Sequence, residues 1–254
     1  MDGGPRTSWS VVLPCFEEAD LLERLVAEIG LALHDVGGGD HEILLVCSRE
    51  ARDGTPETAR RLARSGRGIR CVEQDASDGG YGRAVALGIE TAVHDGVLLM
   101  DADGQFDPAD LPRLAALAAS GAAVLGFRAP RRDPWPRRLA GRGYTLALDR
   151  LLGLGGVIDL DCALKLMPAA PLRRPPLASR TGVVNAEIVL RLRAGGVRIV
   201  QAPVSHRERR LGRSRYAHGV PLLGEVPRAN AAAALLRDAW GLLRAQASTR
   251  PRSA

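Results

Sequence analysis

Lysine is nearly missing from this chain: Lys165 is the single one, although Lys and Arg together number 35. The accompanying wealth of Arg, Ala and Gly reads as genome composition and excludes nothing about function. It does isolate Lys165 as an amine kept against substitution to Arg, through a specific role or by chance. Cysteine is scarce too. Cys15, Cys47, Cys71 and Cys162 show neither a paired zinc-ligand spacing nor a disulfide framework, and they read as small buried hydrophobes of a reducing compartment. Aromatic residues make up 4% of the chain and do not interleave with its arginines, which argues against the base-stacking platform of a nucleic-acid binder. No apolar run approaches the roughly 20 residues that span a bilayer. The start, Met1-Asp2-Gly3-Gly4-Pro5, lacks the basic region and apolar core of a signal peptide. The expectation is a cytoplasmic chain that meets any membrane from its inner face.

What is there is ordinary for a globular protein: 46% apolar and 25% charged residues over 254 positions, enough for a substantial core. The net charge of +6 is unevenly placed. From Gln201 onward ten arginines face only Glu208, Glu225 and Asp238, a local excess of +7, so the first two hundred residues are close to neutral. A second cluster, Arg128, Arg131, Arg132, Arg137, Arg138 and Arg142, faces Asp133 alone. Such patches suit a phosphate-bearing substrate or an anionic lipid surface better than nucleic acid.

Short apolar runs at Ser10–Leu13, Ile43–Val46, Ile69–Val72, Val97–Met100 and Ala123–Phe127 read as strands. They alternate with helical patterns over Glu17–Leu33, Glu57–Arg64, Arg83–His94 and Pro108–Ala119. That alternation predicts an α/β fold with a mostly parallel, doubly wound sheet. Beyond Arg128 the pattern weakens. Arg131–Trp135 reads as an Arg/Pro loop, Gly143–Leu152 and Asn185–Ala194 as helices, and Asp159–Met167 and Val197–Gln201 as holding strands. Val204–His218 reads as a basic loop. Val220–Gln246 reads as a helical tail, with Arg228, Arg237 and Arg244 beside apolar positions suited to an anionic lipid surface. No repeat is visible, so the expected division is one domain over residues 1–218 and an Arg-rich helical extension over 219–254.

The stretch Val97–Pro108 says most about chemistry. A buried strand ends in Asp101 and Asp103, Gln105 follows, and Asp107-Pro108 opens a new helix as N-cap and first-turn proline. Turn chemistry explains Asp107 but not two acids at the lip of an apolar strand. In open α/β sheets ligands collect beyond the carboxyl ends of the strands. Asp101, Asp103 and Gln105 there offer an all-oxygen half-shell for Mg2+ or Mn2+, completed by water and a diphosphate.

Other features each carry two readings. Asp78-Gly79-Gly80-Tyr81-Gly82 lacks the dinucleotide spacing and a Walker lysine. It is either a structural turn or a close backbone approach to a nucleotide, with Arg83 beside it. Arg209-Arg210-Leu211-Gly212-Arg213-Ser214-Arg215-Tyr216 is either a phosphate-gripping loop or a solvated basic one. Arg128, Arg131 and Arg132 form an anion site or a surface cluster. Asp159 and Asp161 face one way on a strand and, with Lys165, either line the site or form a buried ion pair. His206 and His218 have no metal-ligand partner at helical spacing and read as surface or capping residues.

Six segments then stand in order: Val12-Leu13-Pro14-Cys15-Phe16-Glu17-Glu18, Asp53-Gly54-Thr55, Gly80-Tyr81-Gly82-Arg83-Ala84, Asp101–Pro108, Asp161-Cys162-Ala163-Leu164-Lys165-Leu166 and Arg209–Ser214. Together, over about Ser10–Tyr216, they resemble the family 2 glycosyltransferases of GT-A fold, especially the dolichyl-phosphate mannose synthase-like group of polyprenyl-phosphate glycosyltransferases. The resemblance implies a GT-A-type, Rossmann-like sheet. It also implies inverting transfer of a sugar from a nucleotide-diphosphate donor to a polyprenyl phosphate or another small acceptor. It sets Pro14, Glu17, Glu18, Asp53 and Arg83 on the donor side, and Asp101-Ala102-Asp103 with Gln105 on the metal and diphosphate. Arg209 and Ser214 would close over the phosphates, and Arg128, Arg131 and Lys165 would meet the acceptor phosphate. The catalytic step would fall to Asp103, Asp161 and Arg209.

A nucleoside diphosphate leaving group calls for charge stabilisation by metal and arginine. A phosphate acceptor is already anionic and needs no strong base. A hydroxyl acceptor needs a carboxylate, Asp159 or Asp161. One departure stands out: relatives carry paired aspartates after the second strand for base and ribose, and here that place reads Val46-Cys47-Ser48-Arg49-Glu50. The alternatives are a sugar-phosphate nucleotidyltransferase, although Pro14–Glu18 is not the Gly-rich basic loop it would need, and a non-catalytic nucleotide- or phospholipid-binding relative.

Overall fold

The computed structural model describes residues 8–37, 40–75, 79–207 and 229–249. Seven strands form where apolar runs stand in the sequence: β1 (Trp9–Cys15), β2 (Glu42–Ser48), β3 (Ile69–Gln74), β4 (Gly96–Leu99), β5 (Ala123–Arg128), β6 (Lys165–Pro168) and β7 (Ile199–Val204). Their order in the sheet is β3-β2-β1-β4-β6-β5-β7. All run parallel except β6, which lies antiparallel between β4 and β5. The central strands are buried on both faces, so their sequences read as unbroken apolar runs rather than alternations.

Among the described residues eight helices cover the sheet: α1 (Ala19–Val36), α2 (Thr55–Ser65), α3 (Tyr81–Thr91), α4 (Leu111–Ala118), α5 (Trp135–Leu152), α6 (Ala170–Arg173), α7 (Val184–Ala194) and α8 (Ala229–Thr249). On one face Leu22, Ile29 and Leu114 pack with Leu13 and Leu45; on the other Val85, Ile89 and Ile188 pack with Val12, Leu44 and Leu99. A third cluster joins Leu125 of β5 to Leu148, Val189 and Ala239, which seats α5 and α8 beside the sheet. Gln246 Nε2 of α8 also donates to the Leu152 carbonyl at 3.0 Å.

Helix α5 starts eight residues earlier than the sequence pattern predicts. Pro136 falls in its first turn, where no N–H is needed and the fixed φ suits a helix. The Arg/Pro stretch is therefore partly a helix start. Among the described residues no helix is long and apolar enough to cross a membrane.

The topology places the site. From the central β1 the chain winds outward through β2 and β3, then returns to β4 on the other side of β1. This reversal opens a crevice between the carboxyl ends of β1 and β4, where open α/β sheets bind ligands. Met100 N–H still donates to the Val12 carbonyl at 3.1 Å. The chain then leaves the sheet at Asp101.

Candidate active site

Asp101 and Asp103 stand at the lip of β4, facing the Pro14–Glu18 turn that follows β1. Asp103 accepts the Gln105 N–H at 3.0 Å, and the turn closes through Gly104 at φ +73°, a left-handed conformation that favours glycine. Asp107 accepts the Ala109 N–H at 3.1 Å and caps the 3-10 turn Pro108–Asp110. Burial, then the neighbouring Asp103 charge, pushes the Asp101 carboxyl above its ordinary range, while a hydrogen bond from Tyr81 opposes the rise. Tyr81 is a site residue that sequence reasoning passed over, because a tyrosine in a Gly-rich turn gives no signal of its own.

The chain after β7 clamps this motif from above. Phe106 bridges His206, and Arg207 N–H donates to the Gln105 carbonyl at 2.7 Å. Gln105 Nε2 donates to the Arg207 carbonyl at 3.4 Å, and among the described residues the Oε1 oxygen of the amide remains open to a cation. Among the described residues no three His, Cys, Asp or Glu side chains form a closed metal cage. Two carboxylates and an amide oxygen at one strand end are a donor set whose chemistry suits Mg2+ or Mn2+, and they would hold such an ion together with phosphate oxygens and water.

His206 is the second residue that sequence reasoning undervalued. It is buried, its ring meets Phe106 edge-on with centroids 5.9 Å apart, and burial pushes its pKa down. Nδ1 accepts the Arg132 N–H at 3.3 Å, so the neutral ring carries its proton on Nε2, which is buried and has no partner among the described residues. An unmet buried donor is costly, and a phosphate oxygen would satisfy it.

Beside the motif lies a buried ionic cluster. The Arg128 guanidinium grips Asp159 with two hydrogen bonds of 2.7 Å and lies 3.6 Å from Asp133. Arg131 donates to Asp133 at 2.6 Å and lies 3.8 Å from Asp159, while Arg137 reaches Asp133 at 3.6 Å. Burial works against ionisation of Asp159 and Asp133, but the arginines outweigh it and hold both carboxyls below their usual range. Three guanidiniums against two carboxylates leave the cluster cationic. Asp161 behaves differently: burial, with Asp159 adding to it, raises its carboxyl despite the pull of Arg128. It accepts no hydrogen bond among the described residues.

Lys165 needs a correction. It is 1% exposed, and its Nζ donates to the carbonyls of Leu160 and Cys162 and to Asn185 Oδ1 at 2.9 Å. Burial lowers its pKa against the attraction of Cys162, Asp161, Asp159 and Asp101. An acceptor phosphate has no route to it. The amine braces the turn that presents Asp159 and Asp161 instead, with Asn185, whose part in this no sequence signal announces.

Arg83 pairs with Glu90 along α3 at 2.9 Å. Asp53 is occupied structurally: Oδ2 accepts Ala19 N–H at 3.0 Å and Oδ1 accepts Thr55 N–H and Oγ1–H at 3.0 and 2.7 Å. Thr55 Oγ1 in turn accepts the Glu18 N–H at 3.0 Å. The two residues tie the starts of α1 and α2 together and fix the Pro14–Glu18 turn, where Glu17 is half-buried.

Where the family resemblance leads one to expect paired aspartates, Ser48 accepts the Glu50 N–H at 3.2 Å, and Arg49 pairs with Glu73 and Asp75 at 2.8 and 2.7 Å. The Cys47 thiol is pushed up, out of the reactive range, by the neighbouring Cys15 thiol and by burial. Arg209, Ser214 and His218, like Asp78, lie outside the described residues.

Comparison with known proteins agrees with this fold. The chain is 30% identical over 218 residues to the undecaprenyl-phosphate 4-deoxy-4-formamido-L-arabinose transferase of Edwardsiella ictaluri, covering 82% of this chain and 62% of that protein. It is 31% identical over 219 residues to the protein of that name from Pseudomonas aeruginosa, covering 82% and 60%. The chain thus spans about three fifths of these relatives. Its fold matches glucosyl-3-phosphoglycerate synthase from Mycobacterium tuberculosis, solved with Mn2+, UDP-glucose and phosphoglyceric acid, at a TM-score of 0.65 and 21% identity, over 92% of this chain and 80% of that one. A second mycobacterial structure aligns at a TM-score of 0.66 over 92% and 75%. Residues 10–168 match the model of one sequence family, so the chain belongs to glycosyl transferase family 2.

Proposed function

We propose that this chain transfers a sugar, with inversion, from a nucleotide-diphosphate donor to a phosphate-bearing acceptor, a polyprenyl phosphate above all. The observation that carries the reading is one edge of the sheet holding two opposite charges. Asp101 and Asp103 stand in the β1/β4 crevice, and the cationic Arg128–Arg131–Arg137 cluster lies beside them, joined by the His206–Arg207 clamp. The carboxylates and the Gln105 amide oxygen suit a donor-bound Mg2+ or Mn2+, which when bound neutralises charge growing on the leaving diphosphate. His206 Nε2–H and Arg131, 15% exposed at its side chain, are suited to phosphate oxygens. A phosphate acceptor is its own nucleophile. Only a hydroxyl acceptor would call on a base, and Asp161, free of arginine hydrogen bonds, is better suited to it than Asp159. The relatives' printed names, which specify undecaprenyl phosphate, support the acceptor class.

Residues 219–254 act, in this reading, as the membrane-directed extension of the 1–218 domain. On α8, Leu236 and Trp240 are exposed beside Arg237 and Arg244, and Arg244 stacks 5.4 Å over the Trp240 ring. On α5, Trp135, Leu139 and Leu146 are exposed beside Arg138, Arg142 and Arg150. Tryptophan, leucine and arginine on one face suit the headgroup region of an anionic bilayer.

The test mixes the purified chain with a panel of sugar nucleotides and Mn2+, with and without polyprenyl phosphate, and measures released nucleoside diphosphate. Acceptor-dependent release that disappears in Asp103→Ala supports the reading. Release that survives the substitution overturns the metal assignment, and nucleotide binding without release marks a non-catalytic relative. Co-sedimentation with anionic vesicles tests the membrane face.

A further inference from the structure

We propose that Asp238, on α8, is a positioning residue for the metal motif, acting through the Ser179–Thr181 loop and Tyr81. The proposal rests on the reading of Asp101 as a metal ligand. Asp238 Oδ2 accepts Arg180 N–H, Thr181 N–H and Thr181 Oγ1–H at 2.9, 2.9 and 2.8 Å. The two preceding amides, Ala178 and Ser179, donate to Glu187 at 3.0 and 2.8 Å. Glu187 is 2% exposed and fixed within α7. Four consecutive backbone donors are thus held by two carboxylates, one from the core and one from the C-terminal helix.

The far side of this loop sits on the turn that opens α3. The Arg180 carbonyl accepts the Gly82 N–H at 2.9 Å. A Cβ on Gly80 would lie 2.6 Å from that same oxygen, and one on Gly82 would lie 2.3 Å from the Ser179 oxygen. Loop and turn are in backbone contact with no slack, so one does not shift without the other. Between the two glycines stands Tyr81, placed beside Asp101 so that its hydroxyl favours the ionised carboxylate against burial. The relay is short: α8 carboxylate, loop amides, Gly-Tyr-Gly turn, tyrosine hydroxyl, metal carboxylate. Neighbours of Asp238 on α8 divide between inside and outside, with Ala239 buried and Trp240 57% exposed. Whatever holds the outer face of α8 therefore also holds the loop.

Two measurements test the relay. Hydrogen exchange at the Tyr81 and Gly82 amides should quicken about tenfold in Asp238→Ala and less in Asp238→Asn, which keeps one acceptor oxygen. Binding of Mn2+ alone, read from the free-ion electron paramagnetic resonance signal, should weaken several-fold in Asp238→Ala and in Tyr81→Phe. The double variant should be no weaker than Tyr81→Phe, since both substitutions cut one path. Gln246→Ala removes a different anchor of α8 and should leave both readouts unchanged. Additive losses in the double variant, or unchanged exchange at Tyr81 and Gly82, overturn the proposal. Quickened exchange in a chain that binds no Mn2+ keeps the loop relay but overturns its metal end, and with it the metal reading.

Discussion

Replacing Asp159 by Asn tests whether the arginine cluster is a built interior or a surface accident. Asp159 accepts two guanidinium hydrogen bonds and the backbone N–H of Arg128, and both side chains are 9% exposed. Removing one partner of a buried pair costs about 3–5 kcal/mol, because the other charge stays buried without compensation. Asp133, 3.6 Å from Arg128, remains to offset part of this, so the lower end, about 3 kcal/mol, is expected. For a chain of this size that corresponds to a drop in melting temperature of roughly 6–12 °C. The pH dependence follows from the direction of the shift. The Asp159 carboxyl is held below its usual value in the fold, so its contribution is present above the unfolded value of about 4. It is lost as pH falls through the lower, folded value. Calorimetry should therefore show wild type and variant far apart at neutral pH and converging in acid. A double variant, Arg128→Met with Asp159→Leu, should recover most of the stability, since apolar replacements of a buried pair are often neutral, while transfer to a phosphate acceptor stays impaired. A melting temperature within 2 °C of wild type for Asp159→Asn, or a gap that widens in acid, would refute the reasoning.

Three further outcomes are expected. Gly82→Ala should cost about 1–3 kcal/mol in urea denaturation, as overpacking does, because its Cβ would meet the Ser179 and Thr181 carbonyls at 2.3 and 2.7 Å; an unchanged midpoint would show that the loop yields. Lys165→Met should lower the urea midpoint more than Gly82→Ala, since it strips a donor from two carbonyls and Asn185 at once and each unmet buried group costs about 1–3 kcal/mol. Asp161→Asn should leave kcat with a phosphate acceptor within about threefold, but lower it about 10²–10⁴-fold with a hydroxyl acceptor that needs a general base; equal losses with both would contradict the assignment.

The parts of the site legible in the sequence were those that local chemistry writes into consecutive residues. Asp101, Asp103 and the Asp107-Pro108 cap stand out because acids at the end of an apolar strand violate the pattern around them. The start of α5 did not stand out, since arginines and prolines read alike in a loop and in a first helical turn. Roles set by long-range contact were hidden. Arg128 and Asp159 are 31 positions apart, and nothing local says that the guanidinium is already taken. Asp53 looked like a ligand because a carboxylate in a turn offers oxygens, but its oxygens are engaged by the starts of two helices. Lys165 was marked by rarity, which says nothing about which way its side chain points.

That side chain points inward because of the one strand that breaks the parallel order. A parallel strand begins at the amino edge of the sheet, opposite the ligand crevice. β6 runs antiparallel, so it begins at the carboxyl edge, and the residues leading into it arrive where β4 and β5 end. In register, Lys165 pairs with Leu99 of β4 and Leu125 of β5. Two residues beyond Leu99 stands Asp101, and three beyond Leu125 stands Arg128. The reversal thus carries Asp159 and Asp161 to the same edge as Asp101, Asp103 and the arginines, with the Lys165 amine buried beneath them. In the proposed function the site holds two anions, a diphosphate and an acceptor phosphate, and such a site needs positive charge between them that does not collapse onto its own acids. Asp159 and Asp133 fix the arginines in place while leaving the cluster cationic, and β6 sets how far that cluster lies from Asp101. A change in the register of β6 would therefore alter transfer more than donor binding, because it moves the two halves of the site relative to each other and leaves each half intact.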